Sequence, residues 1–218
     1  MVNRVADIQN HQMLGSTIFI SASIPDPHRW EGSFDPFGIT DAVVAIARAV
    51  LRNGGKLVTA THPTIAPLLL YVAAEQLKEN DKRVVVYQSA TFKSILPVAT
   101  KRYEDDGIGT IIWTDRIENE PANPALAPKS LEHMRHQMLT ESRPVAAVFI
   151  GGMSGISDEY NLFHTLQPDA PVYVFGCPGG EAKKLVDKSP TKLRQELTAS
   201  DIYSTLARHI VNDLVQRL

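Results

Sequence analysis

A doubly wound α/β fold, with a mostly parallel sheet flanked by helices in the Rossmann-like manner, is what this sequence predicts, and three observations predict it. Short β-branched segments alternate with helix-forming ones from about Thr17 onward, and strands separated by helices pair in parallel through right-handed crossovers. The apolar run Val145-Ala-Ala-Val-Phe-Ile150 ends on Gly151 and Gly152 and opens into a helix-like segment carrying Asp158 and Glu159. Small and polar residues gather at the expected carboxyl ends of the strands, where such folds bind ligands: Ser21-Ala-Ser-Ile-Pro25, Thr61-His-Pro63, Gln88-Ser89, Asp115-Arg116, Gly151-Gly-Met153 and Gly176-Cys-Pro-Gly-Gly180.

Each element follows from local chemistry. Thr17-Ile-Phe-Ile-Ser-Ala-Ser23 reads as the first strand, stopped by Pro25 and Pro27, which cannot donate to a ladder. From Asp26 to Gly38 the chain is rich in Pro, Gly, Asp and aromatics and predicts a long loop. Thr40 or Asp41 then offers an N-cap for a mostly apolar helix over Ala42 to Arg52, ended by Asn53-Gly54-Gly55. A second strand over Lys56 to Thr61 leads through His62-Pro63 into a helix from about Thr64 to Asn80. Arg83 to Gln88 is the third strand; Phe92, Ile95, Leu96 and Ala99 then fall on one helical face, with Pro97 interrupting it. A fourth strand over Thr110 to Thr114 is followed by an irregular stretch to Pro128 and a helix over Leu131 to Thr140. After the glycine-ended fifth strand come a helix ended by Pro168, a strand Val172 to Phe175, and helical stretches over Glu181 to Lys188 and Ile202 to Leu218. The last carries Ile202, Leu206, Ile210 and Leu214 at intervals of four, with Val211 and Val215 beside them.

Composition bounds the function. A chain of 218 residues suits one α/β domain, here residues 17–218 after an N-terminal extension 1–16. Charged residues are 21% of the chain and the net charge is -2, which gives no electrostatic footprint for duplex nucleic acid or an anionic membrane. Cys177 is the only cysteine, so no internal disulfide and no multi-cysteine zinc site can form, and a reducing cytoplasm is the expected compartment. The first residues have no apolar signal core, and no run approaches the roughly 20 apolar residues of a membrane span.

The glycine-ended strand is the centre of the candidate site. Glycines there let the backbone approach a ligand, and a helix N-terminus behind them offers N–H groups to a phosphate or carboxylate. Gly151, Gly152, Met153, Ser154 and Gly155 are the candidate ligand contacts, joined by Ser21 and Ser23 at the first strand's end, His62 at the second's, and Gly179 and Gly180 at the sixth's. The alternative for the glycines and serines is a tight turn and a close approach of loops. Asp158 and Glu159 also suit a helix's first turn electrostatically, whatever their function. Cys177 has no local basic partner and reads as structural. Asp26, His28 and Asp35 match no metal-ligand spacing, so neither a metal nor a cofactor is expected. Trp30, Phe34 and Phe37 could stack on a base, anchor the loop or form a subunit contact.

In this order, Ile20-Ser-Ala-Ser-Ile-Pro25, Gly54-Gly55 with His62-Pro63, Phe149-Ile-Gly-Gly-Met-Ser-Gly-Ile-Ser-Asp-Glu-Tyr160 and Gly176-Cys-Pro-Gly-Gly180 resemble the SLOG superfamily of Rossmann-like domains. That group includes cytokinin-activating phosphoribohydrolases, DprA recombination mediators and nucleotide-signal sensors of bacterial defence. The resemblance implies recognition of a nucleotide-derived small molecule, such as an ADP-ribose-like or cyclic signal, in bacterial conflict or stress signalling. The alternatives are an N-glycosidase using Glu159 and an interaction module with a vestigial pocket. The phosphoribohydrolase signature Pro-Gly-Gly-x-Gly-Thr-x-x-Glu is incomplete here. No Pro precedes Gly151, and Ile156 stands where the Thr is expected, leaving Ser154 or Ser157 to supply a hydroxyl. The resemblance also implies a homo-oligomer, of which a dimer is the simplest form, with the closing helix as its apolar surface.

Overall fold

The computed structural model describes residues 12–78 and 80–218; the expectations for residues 1–11, including the reading of the N-terminus, lie outside the described residues. Six parallel strands form one sheet in the order β4-β3-β2-β1-β5-β6. They are β1 (Thr17–Ser23), β2 (Lys56–Thr59), β3 (Val84–Ser89), β4 (Gly109–Thr114), β5 (Ala146–Gly151) and β6 (Val172–Phe175). The chain winds outward from β1 through β2, β3 and β4, then returns to place β5 on β1's other side, so the direction of winding reverses between β1 and β5. That reversal opens the crevice in which doubly wound folds hold ligands. Register aligns Ala22 with Ile150 and Ser23 with Gly151 at its floor.

Helices cover both faces. One face packs Ile18, Ile20, Leu57 and Val84 against α1 (Pro36–Arg52), α2 (Ala66–Gln76), α3 (Val98–Asp105), α6 (Thr191–Ala199) and α7 (Tyr203–Val215). The other packs Phe19, Val58, Tyr87 and Phe149 against α4 (Pro128–Ser142) and α5 (Gly155–Leu166). Alternate residues of β1 serve opposite cores, as a two-residue strand period requires. Ser21 and Ser23 continue the parity of Phe19, which directs them to the face that α4 and α5 cover.

Several sequence expectations are corrected. The loop after β1 ends at Asp35, and α1 begins at Pro36 instead of Ala42. The Asp35 carboxylate caps it by accepting from the Phe37 N–H, and a proline at the helix start supplies the required φ without wasting a donor. The presence of Gly38 in the first turn obscured this. Pro97 divides the apolar pattern around Phe92 into a 3-10 segment, Ala90–Ile95, and α3, because its ring cannot continue a helix. Glu181–Lys188 is a 3-10 run, and α6, which had no sequence expectation, lies between it and α7. Ahead of β1, Met13 is fully buried in the core, and its N–H donates to the Asn53 carbonyl at 2.9 Å.

The closing helix is also corrected. Leu206, Ile210, Val211 and Leu214 are buried within the chain as α7 packs on α1, and the exposed apolar residues Ile202 and Leu218 lie beyond its two ends. The apolar face expected to mediate association is consumed internally. Among the described residues no helix is long and apolar enough to cross a membrane.

Candidate functional site

The crevice between β1 and β5 is built around Glu159. This residue sits in the second turn of α5 and is 9% exposed, and both of its carboxylate oxygens are engaged. The Ser21 hydroxyl at the end of β1 donates to Oε2 at 2.5 Å, and Arg135 Nε of α4 donates to Oε1 at 2.8 Å. Ser21 and Glu159 were both legible in the sequence, but Arg135 was not. Its signal, one basic residue in an amphipathic helix, is indistinguishable from an ordinary solvated position until α4 is laid beside α5.

Arg135 changes the electrostatics of the turn. Hydrogen bonding through the glycine turn runs from the Gly152 N–H, donated to the Ser23 carbonyl at 2.7 Å, and resumes at the Ile156 N–H, donated to the Met153 carbonyl at 2.9 Å. Between them the N–H groups of Met153, Ser154 and Gly155 have no acceptor among the described residues. They are the orphan donors of a helix N-terminus, with the positive end of its dipole behind them. Among the described residues Arg135 donates through Nε alone, and its Nη2 lies 3.0 Å from where a Cβ on Gly155 would stand. A guanidinium pinned at one edge thus leaves its free donors beside three free amides. The repulsion that Glu159 would exert on an anion is offset by the cation it holds in place.

A second carboxylate lies on the other side of the same turn. Glu181 accepts from the Ser157 hydroxyl at 2.7 Å and pairs with Lys184 at 2.7 Å. The Lys184 ammonium holds its carboxyl below the usual glutamate range, against the opposing effect of burial and with further help from Ser157. Ser157 is therefore committed to Glu181, whereas Ser154 is exposed and makes no capping bond of its own. Of the two serines considered for the missing threonine, only Ser154 has a free hydroxyl.

The glycines at the sixth strand's end spend their N–H groups within the protein. The Gly179 N–H donates to the Gly176 carbonyl and the Gly180 N–H to the Ser33 carbonyl, each at 3.2 Å, so neither amide is free for a ligand. Gly180 has φ +71°, and a Cβ there would stand 2.5 Å from the carbonyl carbon of Gly151. Its role is to let this loop lie directly against the β5 turn, where the Glu181 N–H donates to the Gly152 carbonyl at 2.9 Å. Gly180→Ala is expected to destabilise the protein by more than about 3 kcal/mol, because a backbone clash adds to left-handed strain. An unchanged denaturation midpoint would contradict the contact. Gly152 is similarly constrained, with φ +69° and the Ile156 side chain where a Cβ would go. Gly152→Val will therefore lose stability along with any ligand, and a binding loss there has to be read against the folded fraction.

The remaining candidates sit around this centre without joining it. His62 is exposed, and its Nδ1 lies 2.9 Å from Thr64 Oγ1, which also accepts the Ile24 N–H at 3.1 Å; together they tie the loops after β1 and β2. Partial desolvation lowers the His62 pKa from its ordinary value, which favours the neutral ring at pH 7. Trp30 lies under the Lys184 ammonium, 5.3 Å from its ring centre, and Phe34 anchors the loop by bridging to Gly179. Phe37 belongs to the first turn of α1 and is exposed. Cys177 is half-buried beside Tyr203, whose pKa is raised by burial first and by that contact second. Among the described residues no cluster of three or more His, Cys, Asp or Glu side chains could hold a metal. Two open surface depressions lie near the opposite, amino ends of β5 and β6, one beside Val145 and Leu214 and the other beside His164 and Lys188. Neither includes Arg135 or the amides of the β5 turn, so the polar geometry at the strand ends locates the candidate site.

Comparison with curated proteins gives no match. Among solved structures, the X-ray structure of TM1055 is similar: it is 11% identical, the alignment covers 91% of this chain and 99% of that one, and the TM-score is 0.53. At that identity the likeness extends to the fold alone. The model of the SLOG cluster3 family matches residues 29–210, a span that includes α1, the β5 turn, Arg135, Glu159 and most of α7. The chain belongs to the SLOG cluster3 family.

Proposed function

We propose that the protein recognises a nucleotide-derived small molecule in the crevice between β1 and β5, with a phosphate on the amides of Met153, Ser154 and Gly155 and the free edge of Arg135. The observation that carries this reading is the Arg135 guanidinium, held at Nε by Glu159 and, among the described residues, without a partner at its other donors beside the α5 N-terminus. Family membership supports a nucleotide-related ligand. An ADP-ribose-like or cyclic signal, read in bacterial conflict or stress signalling, is the form this function takes in our proposal. Recognition is preferred to cleavage because both Glu159 oxygens are already occupied and Ile156 replaces the threonine of the hydrolase signature.

One observation favours a second reading. A carboxylate buried beside an anion site is also what an N-glycosidase would use to stabilise the oxocarbenium-like charge of a departing base. Incubation with a nucleotide panel followed by mass spectrometry separates the two. Recognition predicts intact nucleotide retained by the protein, and glycosidase action predicts free base with ribose phosphate. Recovery of neither would leave the crevice without a nucleotide function.

A further inference from the structure

Thr61 is the most strained residue near the crevice and has no internal reason to be a threonine. Its φ is +49°, a left-handed conformation that a β-branched side chain adopts only under constraint. The constraint is visible on both sides. The Thr61 N–H donates to Thr59 Oγ1 at 3.0 Å, and the preceding carbonyl, of Ala60, accepts from Gln88 Nε2 at 2.5 Å. Beyond it, Thr64 joins the β2 loop to the β1 loop through the Ile24 N–H. A turn needing only this backbone shape is served at lower cost by glycine or asparagine. The threonine adds a hydroxyl, and that hydroxyl is buried without a partner among the described residues: Thr61 is 4% exposed and Oγ1 makes no hydrogen bond to them.

Its position relates it to the anion-binding turn. β1 pairs with β2 in the register Phe19↔Val58, and continuing that register puts Thr61 level with Ala22, itself paired with Ile150 of β5. Thr61 therefore stands two strands from the Gly151 turn, a separation of about 10 Å at ordinary strand spacing. A ligand reaching both must be longer than inorganic phosphate, and a nucleoside monophosphate has the required span.

We propose that the Thr61 hydroxyl hydrogen-bonds the nucleoside part of the nucleotide whose phosphate binds at Met153 to Gly155 and Arg135. This rests on the nucleotide reading above and adds to it a residue that selects nucleotide over phosphate. The test is calorimetric titration with AMP and, separately, inorganic phosphate, on wild type, Thr61→Val and Thr61→Ser, with folding checked by circular dichroism. Valine keeps the shape and removes only the hydroxyl. Thr61→Val is expected to bind AMP about tenfold more weakly while keeping wild-type phosphate affinity, and Thr61→Ser is expected to return AMP affinity to within about threefold of wild type. The melting temperature of Thr61→Val should not fall, since an unpaired buried hydroxyl is lost. If the valine variant does not fold, Thr61→Gly, which suits the positive φ, replaces it with the same expectation. Equal AMP binding by wild type and the hydroxyl-less variant would overturn this inference and leave the nucleotide reading standing. So would a parallel loss of phosphate affinity, which would mark a disturbed fold. Absence of AMP binding by wild type would overturn both.

Discussion

Asp213→Ala is expected to lower the melting temperature by about 6–12 °C, corresponding to roughly 3 kcal/mol in a chain of this size, without weakening nucleotide binding. Asp213 is the buried carboxylate of α7, with its side chain 2% exposed. The Tyr173 hydroxyl donates to it at 2.5 Å, Arg217 Nε at 2.8 Å, and Lys192 Nζ lies at 2.5 Å. The two cations are about half exposed and regain water when the carboxylate is removed, so their loss costs little. The Tyr173 hydroxyl is buried in β6 and would be left without its acceptor, which is the larger cost. Burial works to raise the Asp213 pKa, but the hydrogen bonds from Lys192, Tyr173 and Arg217 outweigh it and hold the carboxyl below the usual range. A depressed folded-state pKa contributes stability that is fully present above the unfolded value, near 4, and is lost as pH falls through the folded one. The gap between wild type and variant should therefore be full at pH 7 and narrow below about pH 4, where the protonated carboxyl still accepts from Tyr173 but no longer pairs with the two cations. Thermal melts across that range check both the size and the sign.

Glu159→Gln should show the opposite balance. Glutamine keeps the size and one oxygen for Ser21, so stability changes modestly, but the charge that aligns Arg135 is gone. With its guanidinium no longer held over the α5 N-terminus, nucleotide affinity is expected to fall by roughly 1–2 kcal/mol, about tenfold. Were Glu159 a glycosidase group instead, the substitution would remove a transition-state interaction, so turnover would collapse while affinity was largely kept. Titration and product analysis on the same variant decide which. Base release by wild type, abolished in Glu159→Gln with affinity intact, would reverse the preference for recognition.

The two carboxylates illustrate what could and could not be read in the sequence. The strands were legible because a parallel sheet buried on both faces writes itself as short β-branched runs, and β1 and β6 have the expected bounds. The start of α1 was not, because Gly38 resembles a loop residue until Asp35 and Pro36 are recognised as cap and first turn. Glu159 and the glycine turn stood out because they lie within one short segment. Arg135, 24 residues earlier, reaches the site only through the packing of α4 on α5, a contact that no local pattern encodes. Gly179 and Gly180 resembled phosphate-binding glycines, since sequence registers the freedom of a backbone but not where its N–H groups are spent. Nor does periodicity say what an apolar face meets, and in α7 it meets α1.

In the proposed function the N–H groups of Met153, Ser154 and Gly155, with Arg135, hold the phosphate of a nucleotide. Proton–nitrogen correlation spectra of the labelled protein, recorded during titration with AMP and with ADP-ribose, test it residue by residue. These three amides and the Arg135 side chain are expected to show the largest saturable shifts, with smaller ones at Ser21 and Thr61. Saturable shifts confined to the opposite end of the sheet, around Val145 and Asp169, or no shift at either nucleotide, would contradict it.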